Sequence, residues 1–99
     1  VEGSVSMGQG QALREKFYWH KGQVLNPSFL GYLSPISFDT AKIETYHLDT
    51  IDPLGPYGAK EVGESNIVGV LAAIGNAIYN VIGIRVKELP FEQEKFIIL

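Results

Sequence analysis

Ser65-Asn66-Ile67-Val68-Gly69-Val70-Leu71-Ala72-Ala73-Ile74-Gly75-Asn76-Ala77-Ile78-Tyr79-Asn80-Val81-Ile82-Gly83 is the longest apolar stretch of the chain, and its period decides the fold class. Ile67, Leu71, Ile74, Ile78 and Val81 or Ile82 recur at helical intervals and form one apolar stripe. Ser65 is the expected N-cap, its hydroxyl accepting an orphan backbone N–H of the first turn. Gly83 is the expected C-terminal stop. Ala72, Ala73, Gly75 and Ala77 keep the remaining surface small enough for another element to approach closely. No charged residue lies between Asn66 and Ile84, so a membrane span has to be weighed. The length reaches the minimum, but Asn76, Asn80 and three glycines dilute the stretch, and neither a second span nor a basic flank accompanies it. A buried core helix is the expectation.

Immediately ahead lies Gly55-Pro56-Tyr57-Gly58-Ala59-Lys60-Glu61-Val62-Gly63-Glu64-Ser65-Asn66, a glycine-rich loop ending in a carboxylate beside a helix start. Gly55, Gly58 and Gly63 suggest a backbone that turns sharply or lets something approach. Glu64 feels the positive end of the helix dipole, which favours the ionised form that can act as a base, whereas burial would push the other way. On spacing alone, a solvated surface loop is the better reading.

Further upstream, Val1, Val5, Leu13 and Phe17 follow a four-residue spacing that fits a helix. Gly3, Gly8 and Gly10 each cost that helix roughly 1 kcal/mol against alanine, so it needs close packing of its glycine face. Gly8-Gln9-Gly10 lacks the third glycine of a dinucleotide fingerprint and has no preceding strand. Phe17-Tyr18-Trp19-His20, Lys21-Gly22 and Gln23-Val24-Leu25 read as a hairpin turning at Lys-Gly. Phe29 to Phe38, with Pro35, is expected to be irregular. Ile43 to Leu48 and Ile84 to Leu89 are strand candidates. After Pro90, Phe91 to Lys95 resembles a first helical turn with acidic residues near its positive end, running off the end of the chain. The expected fold is α+β over residues 1–99 as one domain: a small antiparallel sheet of about four strands with two main helices on one face.

Composition narrows the function. The chain has 99 residues, 45% hydrophobic and 19% charged, as a globular domain does. A net charge of −3 gives no reason to expect nucleic acid or an anionic membrane as partner. There are no cysteines, which excludes disulfides, iron–sulfur ligation and thiol catalysis from this chain and allows a reducing compartment; a cytoplasmic location is the expectation. His20 and His47 have no carboxylate or thiol at metal-ligand spacing, so no metal ligand is expected. The start at Val1 suggests a piece of something longer.

Gly58-Ala59-Lys60-Glu61-Val62-Gly63-Glu64 resembles the Gly-Ala/Ser-Lys-x-Val-Gly-Glu loop of the molybdenum hydroxylases, the xanthine dehydrogenase and aldehyde oxidase family. Asp52 to Tyr57 resembles the same family, as do Glu2-Gly3 with Met7 to Leu13, Leu25 to Phe29, Tyr32 with Pro35, and Ile82 to Arg85, in the same order along essentially the whole chain. The resemblance implies the C-terminal portion of the molybdopterin-binding large subunit or domain. It implies that Glu64 is the general base that removes a proton from a molybdenum-bound hydroxyl, whose oxygen attacks a carbon of a heterocycle or aldehyde. Gly58, Ala59, Lys60, Val62 and Gly63 would line the cofactor, and electrons would leave through 2Fe-2S clusters to FAD on partner domains or subunits. It also implies that the isolated chain, joined to none of the other pterin loops, is inactive and binds no cofactor tightly. Three positions depart from the family pattern: Ser65 replaces a usual proline, Gly31 a frequent aspartate, and Ala41 a frequent proline. The competing reading is a non-enzymatic α+β interaction module that self-associates through apolar surface. A membrane-associated peptide is a weaker third.

Overall fold

In the computed structural model, which describes residues 1–97, the glycine-bearing start of the chain forms the first helix, α1 (Glu2–Leu13). Its buried positions are Ser4, Gly8, Gly10 and Ala12. Ser4, Gly8 and Ala12 are four apart, so they form one row along the helix. Against that row lies α2 (Ile67–Ile82), so close that a Cβ on Gly8 would stand 2.7 Å from the Cβ of Val70. The cost of glycine in a helix is thus offset by close approach, as the sequence required. The glycine face is the one that buries; of the apolar four-residue series, Leu13 is exposed, and so is Phe17, which lies beyond the helix end. Bulky side chains would hold the helices apart; the small ones let them touch. Ser4 satisfies its buried hydroxyl by donating to Val1 O at 2.7 Å.

α2 stops where expected, at Gly83 in the left-handed region (φ 72), whose N–H donates to Tyr79 O at 2.7 Å. The expected buried core helix is corrected, because no residue of α2 is fully buried. Ile67, Val70, Leu71, Ile74 and Ile78 are half-buried, while Val68 and Val81 stand 79% and 84% exposed. α1 covers one side, Phe91 lies beside Gly75, and Arg85 folds back over the Tyr79 ring and onto Asn76, while much of the remaining apolar surface stays open.

The return of the chain closes this pair. Phe91 donates its N–H to Ala12 O at 2.6 Å and lays its ring 3.4 Å from where a Cβ on Gly75 would stand. Ala12, Pro90 and Phe91 are buried there. An ion pair from Lys16 to Glu92 fastens the same junction. A short helix, α3 (Glu94–Ile97), follows with Glu94 in its first turn. It begins at Glu94 rather than at Phe91, and its expected continuation falls on residues 98–99, outside the described residues.

The hairpin forms as read: β1 (Trp19–His20) pairs antiparallel with β2 (Gln23–Val24), Trp19 opposite Val24, around Lys21 and Gly22 at φ 49 and 81. Asn26 locks it, accepting from Tyr18 N at 2.9 Å and donating to Lys16 O at 2.7 Å. Phe29–Phe38 is irregular and returns to α1, where Arg14 pairs with Asp39 and Gln9 Nε2 donates to Asp39 O at 2.7 Å. The fold is α+β, but the expected sheet of about four strands is not found: among the described residues the sheet has two. Ile43–Leu48 and Ile84–Leu89 have no strand partner there. Nor do the helices lie on a sheet face; they pack on each other, and all four hairpin residues are exposed. No helix among the described residues is long and apolar enough to cross a membrane.

The shape is open. The radius of gyration is 17.0 Å, against about 13 Å for a compact domain of this length. The accessible surface is 8178 Å², against about 5,600 Å² for a compact monomer of this mass.

The helix pairing yields the first test. Gly8→Ala is expected to destabilise the fold by about 1–3 kcal/mol, since overpacking against Val70 outweighs the gain in helix propensity. Gly3→Ala on the exposed side of α1, with nothing within 4 Å, is expected to be neutral or stabilising. Thermal melts of the two variants beside the parent check both.

Candidate active site

Asp52 starts the loop that carries the candidate residues. Its carboxylate Oδ1 accepts from Leu54 N at 2.9 Å, and its carbonyl accepts from Gly55 N at 3.2 Å. Pro56–Gly58 then make one 3-10 turn, closed by Gly58 N donating to Gly55 O at 3.0 Å. Tyr57 and Gly58 both sit at positive φ, 56 and 79. For Gly58 the conformation is inexpensive, and the space requires it: a Cβ there would meet Ile51 Cγ2 at 2.8 Å. Asp52 N donates to Gly58 O at 3.1 Å and ties the two ends of the turn. From Ala59 the backbone runs extended, with Lys60 Nζ donating to Thr50 Oγ1 at 3.0 Å.

The chain knots again from Glu61 to Val68. Glu61 Oε1 accepts from Glu64 N at 2.6 Å, and Oε2 lies 3.4 Å from Ser65 N. Asn66 Nδ2 donates back to Val62 O at 2.7 Å. Ile67 N donates to Glu64 O at 3.1 Å, and Val68 N to Ser65 O at 3.3 Å. Both backbone groups of Glu64 are therefore pinned. Its side chain is exposed and makes no hydrogen bond or ion pair among the described residues.

The expected cap is corrected here. Asn66, not Ser65, is the N-cap of α2, and neither side chain caps the helix. The Glu61 carboxylate reaches forward to the amides just ahead of the helix. That capture is possible because Glu61 precedes Glu64 by three, the reach of an N-cap side chain to its N3 amide. Hydrogen bonding from the Glu64 amide first, then from the Ser65 hydroxyl, holds the Glu61 carboxyl below the usual carboxylate range. A carboxylate so occupied is a weaker proton acceptor than a free one.

The predicted cofactor-lining residues lie in one continuous run. Gly58 is half-buried beneath Ile51, and Ala59, Lys60, Val62, Gly63 and Glu64 are exposed. Gly58, Ala59 and Gly63 keep parts of this run low, between the exposed side chains of Lys60, Val62 and Glu64. Among the described residues, no group of three or more His, Asp or Glu could hold a metal ion. Glu61 was legible only as one more loop carboxylate, and its spacing to Glu64 was the available signal.

No family model matches the chain. It is 41% identical to the aldehyde oxidoreductase molybdenum-binding subunit PaoC of Escherichia coli, over 98% of the chain and 14% of that protein. It is 34% identical to the putative xanthine dehydrogenase molybdenum-binding subunit XdhA of E. coli, over 96% of the chain and 13% of that protein. The crystal structure of quinoline 2-oxidoreductase from Pseudomonas putida 86 superposes with a TM-score of 0.85 at 28% identity, covering 98% of the chain and 13% of its own.

The chain matches a segment of the molybdenum-binding large subunit of the xanthine dehydrogenase family. It spans about one seventh of the length of the curated relatives it matches, 13–14% of PaoC and XdhA. This likeness in fold extends over α1, the hairpin, the knotted loop and α2 alike, since the superposition covers 98% of the chain. The family segment thus includes the open elements, not just the helix pair.

At Gly58, Gly58→Ala puts a side chain both at positive φ and against Ile51. It is expected to destabilise the turn by roughly 1–2 kcal/mol. Faster proteolytic cleavage between Gly55 and Glu64, with the cleavage rate elsewhere unchanged, is the expected reading.

Proposed function

We propose that this segment carries the general base of a molybdenum-dependent hydroxylase, and that the base is Glu64. The observation that carries the reading is the contrast between two carboxylates three residues apart. Glu61 has both oxygens turned to backbone amides, whereas Glu64 has its backbone pinned and its carboxylate unengaged among the described residues. A general base needs a fixed position and an available lone pair. Glu64 has both.

The loop suits a cofactor wall. Gly58, Ala59 and Gly63 keep parts of it low, and a Cβ on Gly63 would meet nothing nearer than Glu61 Oε1 at 3.4 Å. Gly58, Ala59, Lys60, Val62 and Gly63 would line one side of the molybdenum cofactor. When bound, that cofactor supplies the two-electron acceptor and the oxygen transferred to substrate. Glu64 would take the proton of the attacking hydroxyl, while the hydrogen and two electrons released from the substrate carbon would pass to the cofactor. The names of the relatives, an aldehyde oxidoreductase and a quinoline 2-oxidoreductase among them, favour an aldehyde or an electron-poor heterocycle as substrate. Partners would be the remainder of the molybdenum-binding subunit and the domains or subunits that carry 2Fe-2S and FAD, in a cytoplasmic enzyme. An exposed loop cannot enclose a reaction alone, so the 99-residue chain by itself would show no turnover and no tight cofactor binding. A non-enzymatic, self-associating module is the second reading, favoured by the uncovered side of α2.

Glu64→Gln in the complete enzyme keeps the size of the side chain and removes the base. Reduction of the enzyme by substrate is expected to slow by roughly 100- to 10,000-fold, with molybdenum content unchanged. Stopped-flow measurement of that half-reaction checks it; an unaltered rate at full molybdenum occupancy would remove Glu64 from the mechanism.

A further inference from the structure

We infer that Glu61 is the positioning residue for Glu64, its carboxylate strapping the Glu64 and Ser65 amides so that the base projects from a fixed backbone. The inference rests on the reading of Glu64 as base. Its geometry is independent of that reading. Glu61 Oε1 lies 2.6 Å from Glu64 N, and Oε2 lies 3.4 Å from Ser65 N. The carbonyl side of Glu64 is held separately by Ile67 N at 3.1 Å, and Asn66 draws Val62 O in at 2.7 Å. Without Glu61, the amide side of Glu64 would have no protein acceptor among the described residues, and Gly63 would leave the preceding backbone free to rotate. A carboxylate is suited to the task because it accepts from two amides at once and its bonds are charge-assisted. The strap makes Glu64 a base whose direction is set by a second acid three residues upstream, and it gives that second acid no part in the proton transfer itself.

Misplacing a reacting group by about 1 Å costs on the order of 100-fold in rate, so loss of the strap is expected to be felt in kcat. In the complete enzyme, Glu61→Ala is expected to lower kcat by about 10- to 100-fold with KM and molybdenum content near those of the parent. Hydrogen exchange at the Glu64 and Ser65 amides, followed by mass spectrometry, is expected to speed up with no change in α1. Glu61→Gln keeps the acceptor facing Glu64 N and is expected to recover most of the rate and the protection. Unchanged exchange and kcat in Glu61→Ala would overturn the inference, as would loss of molybdenum in that variant or failure of Glu61→Gln to rescue it. Glu64→Gln run in parallel separates the two claims: faster exchange in Glu61→Ala beside a fully active Glu64→Gln would retain the strap and reject the base.

Discussion

The close approach of Gly8 of α1 to Val70 of α2 is the contact on which the helix pairing depends. Because a row of small residues faces α2, the two helices meet backbone to side chain, and dispersion contacts accumulate over the shared length. That contact fixes where α2 begins. The knotted loop ends in the first turn of α2, so the position of Glu64 is inherited from a helix pairing whose closest contact, Gly8 against Val70, lies several residues along the chain. Phe91 completes the arrangement by filling the space beside Gly75 and hydrogen-bonding to the last turn of α1. One aromatic ring therefore joins the carboxyl end of α1 to the middle of α2.

What the sequence made legible follows from the range of the interactions involved. The α2 stripe, its stop at Gly83 and the Lys21-Gly22 turn are local, and each was read correctly from a few neighbouring residues. The need for a partner on the glycine face of α1 was also legible, because glycine in a helix costs stability that only close packing restores. The part that Ser4 and Ala12 play in that face was not. Period four admits two rows on α1, and apolar Val1, Val5 and Leu13 mark one while the smaller Ser4, Gly8 and Ala12 fill the other. Which row wins depends on the distance of α2, a non-local quantity. Strand candidates failed for a related reason: Ile43–Leu48 has the composition of a strand, but a strand needs a partner, and none of the described segments supplies one.

At the loop, order along the chain carried more than any single residue. Spacing alone favoured a solvated turn, and Glu64 is indeed exposed. The match to a segment of the molybdenum-binding subunit rests on the succession of motifs from Glu2 to Arg85, whose likeness is reflected in 41% identity to PaoC across 98% of the chain. Glu61 shows the opposite limit. Its residue type and exposure distinguish it in no way from a surface carboxylate; only the direction of its oxygens, toward two amides, gives it a role.

The open surface bears on how such a site could work. A general base is most effective where water is excluded, because each charge interaction then strengthens and the proton has one acceptor. Glu64 stands in water in this segment, and α2 is covered on one side. The excess of 8178 Å² over roughly 5,600 Å² for a compact monomer therefore has a chemical as well as a structural meaning. The surface that α2 leaves bare is continuous in sequence with the loop that carries Glu64, so a surface covering the first turn of the helix would also approach its carboxylate. Enclosure of the site and completion of the fold would then be a single event. The segment's own share of that event is rigidity: a backbone pinned on both sides of Glu64, by the Glu61 carboxylate and by the Ile67 amide.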